Sequence, residues 1–173
     1  MYHEGYEDIT NIDISFTVIQ QMTELFGERC PKMVYKQMDV RDMSEFGECT
    51  FDAVIDKGTF DSILCGFDSR PNSLAMLSEV NRVLKPQGVY ICITYGTPAQ
   101  RKKLTESDLG WKISSHQVTK SYLNPAQVVA ANEKNENTFH YIFVLRRLNE
   151  AKPPPTPPPK EEGEEEEEEE EKE

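Results

Sequence analysis

Three acids stand at comparable places in this 173-residue chain: Asp13 within NIDI, Asp39 after KQM and Asp56 after DAVI. Each closes a short apolar stretch of strand character, where a charge is costly unless something pairs with it. In an open α/β sheet, ligands bind outside the carboxyl ends of the strands. One acid there can accept both hydroxyls of a ribose, and another can accept from an adenine amino group. The alternative for each is a plain helix or turn cap, and that reading stays open for any one of them alone. Three in succession at matching places favour a nucleoside-type ligand.

The elements that must present these acids follow from local pattern. Residues 8–14 (DITNIDI) predict a short strand, and Ser15 a helix N-cap. Val18, Ile19, Met22, Leu25 and Phe26 then recur at helical spacing, and Gly27 follows as a stop. Residues 33–38 (MVYKQM) and the AVID of residues 53–56 predict two more strands. Leu74, Leu77, Val80, Val83 and Leu84 mark one face of a helix that Lys85-Pro86-Gln87-Gly88 ends. A β-branched strand follows over residues 89–95, and residues 111–118 and 138–145 predict an antiparallel hairpin. Alternating strand and helix from residue 8 to about 95 favours a mainly parallel sheet with right-handed crossovers, the hairpin lying at one edge.

Composition divides the chain into a domain over residues 1–150 and a Pro-rich, poly-Glu tail over 151–173. Of 31 acids and 19 bases, 11 and 3 lie in the tail, so 20 and 16 remain in the domain, a net of −4. That mild acidity disfavours direct nucleic-acid binding. The tail has no aromatic or large aliphatic residue; its prolines predict an extended spacer, its glutamates disorder and an affinity for basic proteins. Cys30, Cys49, Cys65 and Cys92 have neither zinc nor disulfide spacing, and mostly buried, reduced thiols are expected. No apolar run reaches the ~18 residues of a membrane span, and the N-terminus has no signal-peptide pattern, so the expected location is cytoplasmic. His3, His116 and His140 show no metal spacing.

The segments NIDIS, MDVRDM, FDAVIDKGTFDSIL and SEVNRVLKPQGVYICIT, in this order, resemble the seven-stranded, S-adenosylmethionine-dependent methyltransferases. More narrowly, DKGTFD (residues 56–61) resembles the signature of the methyltransferase-like 13 group, which includes lysine methyltransferases of translation elongation factor 1-alpha. The Leu-Lys-Pro-x-Gly turn is common to the superfamily, and Gln87 stands where a second glycine is usual. The resemblance implies a Rossmann-like fold, S-adenosylmethionine as cofactor and a protein lysine as acceptor, elongation factor 1-alpha being one possible substrate. It implies Asp13 as the ribose acid with Ile14 beside the adenosine, and Asp39 with Val40 at the adenine. Lys57 lies toward the methionine end, and Asp56 is the candidate catalytic residue for orienting the acceptor amine or, equally, the cofactor's amino group. Thr59 and Asp61 are read as caps of the next helix.

The same resemblance carries a first, central strand and a G-x-G-x-S loop upstream of MYHEGYEDI, whereas no G-x-G occurs here. The expectation is therefore an N-terminally truncated methyltransferase sheet. The alternative function is a non-catalytic interaction module that uses its acidic tail. A nicotinamide dehydrogenase would share the ribose acid but has no reason to contain DKGT.

Overall fold

The computed structural model describes residues 1–101, 104, 109–120 and 138–148. The expectations for residues 121–137 and for the tail from 151 lie outside the described residues. After a single 3-10 turn at Tyr2–Glu4, β1 (Thr10–Asp13) leads into α1 (Phe16–Phe26) and β2 (Val34–Gln37). β3 (Phe51–Lys57) is followed by α2 (Thr59–Cys65), α3 (Ser69–Val83) and β4 (Leu84–Thr94). The edge hairpin consists of β5 (Trp111–Thr119) and β6 (Phe139–Arg147).

Pairing follows the parallel expectation, but it forms two sheets. β1 and β2 pair in parallel, as do β3 and β4, while β6 runs antiparallel between β4 and β5. The larger sheet has the order β3-β4-β6-β5, and the smaller contains only β1 and β2. Both rest on one apolar layer: Ile12 of β1 and Val54 of β3 pack against the cluster that contains Phe60, Met76, Leu77, Val80, Tyr90 and Phe143.

Local chemistry accounts for the element ends. Ser15 caps α1 by accepting from the Val18 amide at 3.4 Å. α3 turns most of the expected face inward: Leu77, Val80 and Val83 are buried, joined by Ser73 and Met76, and only Leu74 departs from it at 42% exposed. Met76 and Leu77 are adjacent, so the buried stripe is broader than a simple four-residue repeat indicates. α3 ends at Val83, before the Lys85-Pro86-Gln87-Gly88 segment expected to stop it, and that segment lies in the first part of β4, where the glycine preference becomes physical. Gln87 has φ +66°, the left-handed region, and a Cβ on Gly88 would stand 2.8 Å from the Lys85 carbonyl oxygen and 3.1 Å from that of Asp52. Gly88 is required by this close approach, and Gln87 tolerates strain while its carbonyl accepts from Arg146 at 2.7 Å.

Only half of the thiols match expectation. Cys30 and Cys92 are buried, but Cys49 and Cys65 are exposed. Cys65 is the last residue of α2, next to the C-cap Gly66.

Two outcomes follow from this architecture. Gln87→Gly relieves the left-handed backbone and should raise stability by up to about 1 kcal/mol, the glycine's extra unfolded-state entropy offsetting part of the gain. A higher urea midpoint at unchanged slope is the expected reading. In native protein, iodoacetamide should alkylate Cys49 and Cys65, while Cys30 and Cys92 should react only after unfolding, as mass spectrometry of peptides would show.

Candidate functional site

β1 and β2 are parallel, so their carboxyl ends lie together, and a hydrogen bond joins them to the start of α3, the helix that follows β3 and α2. Arg41, just beyond β2, donates to Asn72 Oδ1 at 3.0 Å, and Asn72 in the first turns of α3 donates to the Phe67 carbonyl at 3.0 Å. The start of α3 is also the end to which β3 and α2 deliver the chain, so this contact aligns both sheets.

Asp13 closes β1 with its side chain half-buried. Its Oδ1 accepts from the Ser15 amide at 2.8 Å, an Asx turn, and Oδ2 has no partner among the described residues. Ile14 beside it is 65% exposed. An acceptor oxygen next to an exposed apolar side chain is suited to a diol attached to a flat ring. The turn-forming reading of Asp13 is met by Oδ1.

Asp39 is more committed. Arg41 grips it through Nε to Oδ1 at 3.0 Å and Nη2 to Oδ2 at 2.6 Å, and the Arg41 amide adds a bond of 2.9 Å. This guanidinium holds the Asp39 carboxyl below the usual carboxylate range. Val40 next to it is half-buried against the core. A ligand's amino group would therefore meet an acid already neutralised by a neighbour.

Asp56 is 5% exposed and turns into the protein. Oδ1 accepts from the Thr59 amide at 2.8 Å, and Oδ2 from the Phe60 amide at 3.1 Å and the Tyr90 hydroxyl at 3.1 Å. The first two bonds cap α2, whose own N-cap residue, Gly58, has no side chain to do so. Gly58 takes φ +90°, turning the chain sharply between strand and helix, and Lys57 is left exposed at the strand end. Burial pushes the Tyr90 hydroxyl well above its ordinary range. It pushes the Cys92 thiol up to about 12, the Asp56 carboxylate adding to the effect, so Cys92 remains a thiol and not a nucleophile at neutral pH.

Asp61 is the residue that sequence reasoning misassigned. It is not a helix cap but lies 3% exposed in a polar core at the end of β4. Arg101, 7% exposed, donates to its Oδ1 from Nη2 at 2.5 Å and Nε at 3.1 Å. The Thr94 hydroxyl also donates to Oδ1, and the Tyr95 amide reaches Oδ2 at 3.3 Å. The Arg101 guanidinium lies 5.4 Å from the Tyr95 ring centroid, and Gly96 leaves room for it where any Cβ would collide. These contacts hold Tyr95, 49% exposed, just past the end of β4. The only advance signal was the identity of an acid and an arginine forty positions apart, which nothing local connects.

Comparison with known proteins fits this geometry. Residues 1–92 match a family model described as a methyltransferase domain. The chain is 42% identical over 127 residues to the mouse eEF1A lysine and N-terminal methyltransferase and 41% identical over 125 residues to the human one. Each match covers 70% of this chain but 18% of the relative, so the chain spans about a fifth of those proteins' length. A bovine EEF1A lysine methyltransferase 4 is 31% identical over 119 residues, 63% of this chain and 46% of that protein. Among solved structures, a Methanosarcina mazei protein described as a SAM-dependent methyltransferase superposes with TM-score 0.57 at 15% identity, covering 82% of each chain. The [4+2]-cyclase SpnF superposes with TM-score 0.60 at 15% identity, covering 82% of this chain and 67% of its own. A cyclase with this fold makes plain that chemistry has to be argued from the site.

The buried pair gives the test of this region. Arg101→Met leaves Asp61 charged and unpaired in the core and should cost about 3–5 kcal/mol, measured by urea unfolding. Adding Asp61→Asn removes the stranded charge and should recover a large part of that loss. Equal losses in single and double variants would show that Arg101 acts through packing alone.

Proposed function

The chain belongs to the methyltransferase-domain family, and on that premise we propose that it binds S-adenosylmethionine and serves a protein-lysine N-methyltransferase acting on a translation factor. The observation that carries this reading is Asp13: a strand-end carboxylate with one oxygen committed to its own turn, the other without a partner, and an exposed isoleucine alongside. The names of the mouse, human and bovine relatives support elongation factor 1-alpha as the substrate.

The residues present fit the nucleoside part of the cofactor. Asp13 would hold the ribose hydroxyls, Ile14 and Val40 would cover faces of the adenine, and Asp39 would accept from its amino group, sharing its charge with Arg41. Lys57 would meet the methionine end. When bound, the cofactor supplies a methyl group on a sulfonium, and a lysine amine needs to be deprotonated and aligned to receive it. No covalent nucleophile is required, which agrees with the protonated state of Cys92.

Asp56 enters this reading as a positioning residue. With both oxygens engaged inside the protein, it shapes the Lys57-Gly58 turn rather than touching the amine. Tyr95, held by Asp61 and Arg101, follows β4 two residues after Ile93, the register partner of Lys57. Function on elongation factor 1-alpha is consistent with a cytoplasmic location, and among the described residues no helix is long and apolar enough to cross a membrane. The acidic tail is proposed to contact basic partners.

Asp13→Asn tests the assignment. The amide oxygen can still accept from the Ser15 amide, so the urea midpoint should stay within about 0.5 kcal/mol of the parent, the scale of an ordinary surface change. Affinity for S-adenosylhomocysteine, by isothermal titration, should fall by about 1.5–3 kcal/mol, roughly 10- to 150-fold. Unchanged affinity would remove Asp13 from the site. A parent chain that binds neither S-adenosylmethionine nor S-adenosylhomocysteine would leave the non-catalytic interaction module as the better reading.

A further inference from the structure

We propose that the chain's own tail docks across the second face of the larger sheet, the prolines of residues 153–159 over an aliphatic centre and the glutamates that follow at Lys57. The inference rests on the tail's affinity for basic partners, proposed above, and names the first such surface it meets; it is independent of methyl transfer. Strand alternation separates the two faces of the sheet. Val54, Tyr90, Cys92, Phe143 and Leu145 share one core with Phe60 of α2 and Met76 of α3. The residues between them lie on the other face, where the register sets them in rows. Arg146 pairs with Val89 and Lys112 in the first, Val144 with Ile91 and Ser114 in the second, and Ile142 with Ile93 and His116 in the third. Across β4, Ile55 lies beside Ile91 and Lys57 beside Ile93.

Charge on this face has one sign. None of these residues is an acid, while Lys112 and Arg146 stand at one corner and Lys57 at the opposite one. Lys32, Lys36 and Lys85 elsewhere in the molecule each meet a carboxylate. Among the described residues, Lys57, Lys112 and Arg146 meet none; Arg146 donates to the neutral Gln87 carbonyl. Between the corners lies an aliphatic strip that includes Ile55, 45% exposed. Its complement is an apolar stretch continued by carboxylates. That is the order of the tail: PPPTPPP, then a run with 11 glutamates.

The reach agrees with this order. The Leu148 amide bonds to the Gly110 carbonyl at 3.1 Å, so the tail departs beside Trp111 and Arg147, next to the Lys112 corner. From Lys112 to Lys57 the sheet runs three strand spacings of ~4.8 Å and, from Val89 to Ile93, four residues of ~3.3 Å, a diagonal of about 20 Å. The seven residues 153–159, as a polyproline II helix of ~3.1 Å per residue, span about 22 Å. They therefore bring Glu161 and its neighbours to Lys57, and residues 149–152 let the chain turn onto the face. A segment already confined to this conformation loses little entropy on docking. Tethering supplies an effective concentration on the order of millimolar, so a weak contact is enough to keep the face occupied. An external basic protein would compete with Lys57 for the same glutamates.

Cross-linking of the 173-residue chain with a carbodiimide, which joins carboxylates to amines in contact, tests this without cofactor, so its outcome is separate from the titrations above. In dilute monomer, mass spectrometry should find tail glutamates joined to Lys57, with links to Lys160 as the internal control. Replacing the 11 glutamates by glutamine should remove the Lys57 links. Acetic anhydride should then modify Lys57 about twofold faster or more, the factor for a face at least half occupied. Glycine and serine in place of residues 153–159 span only about 15 Å, so the links should spread from Lys57 toward Lys112. Links confined to the tail's own lysines, or Lys57 acetylation indifferent to the glutamine tail, would overturn the proposal. So would Lys57 links found only in cross-linked dimers and rising with protein concentration, because a second copy's tail would then occupy the face.

Discussion

The carboxylate of Asp56 is the point from which the site is organised. It lies under the sheet, takes two amides of α2 and the Tyr90 hydroxyl, and thereby couples the end of β3 to the start of a helix and to β4. A buried acid persists because its lone pairs are satisfied by main-chain donors, which cannot be lost without unwinding the helix. The turn it enforces gives Gly58 its positive φ and leaves Lys57 facing out. DKGT is thus a device for ending a strand at an exposed polar edge while its acid is tied inside.

Asp61 repeats the principle one turn later with a different partner. Its pairing with Arg101 and Thr94 ties α2 to the chain after β4, and Gly96 is there because the guanidinium needs the space. Two acids of one signature therefore serve the same end of the sheet from inside. The acids that remain accessible, Asp13 and Asp39, are on the smaller sheet. One side of the site is rigidly framed by α2, α3 and β4, and the other depends on a two-stranded ladder of four residues per strand. A pair of short strands is marginal alone, so its contact with the α3 layer through Ile12 and Arg41 matters more than its own hydrogen bonds.

Charge is used economically across the fold. Glu79 illustrates it: Arg82 holds its carboxyl below the ordinary range, and both reach into the loop after β2, where Glu79 accepts from the Met43 amide at 2.7 Å and Arg82 donates to the Met43 and Phe46 carbonyls. That loop has little regular structure and relies on α3 for its partners. The ion pair is partly exposed and adds modest energy, but its bonds to main-chain groups fix the direction in which β2 leads toward β3.

The amino-acid sequence by itself determined whatever depends on neighbours within a few positions. Ser15 caps α1 because its hydroxyl is three residues from the Val18 amide, and Gly88 is needed where it stands because it has no Cβ, although α3 already ends at Val83 and the Lys-Pro-Gln-Gly segment expected to stop it lies within β4. The order of strands and helices, the parallel sheet and the edge hairpin were legible for the same reason, as was the family signature. What only the tertiary structure decided is the use of each charge and each face. Asp56 and Asp61 looked like strand-end and helix-cap acids, yet their partners Tyr90 and Arg101 are 34 and 40 residues away. Leu74 and Met76 are equally apolar, and only the position of the sheet made one exposed and the other buried. The division of the described residues into two sheets could be observed only once pairing was complete. Hydrogen bonds between strands join residues whose separation along the chain leaves no local trace.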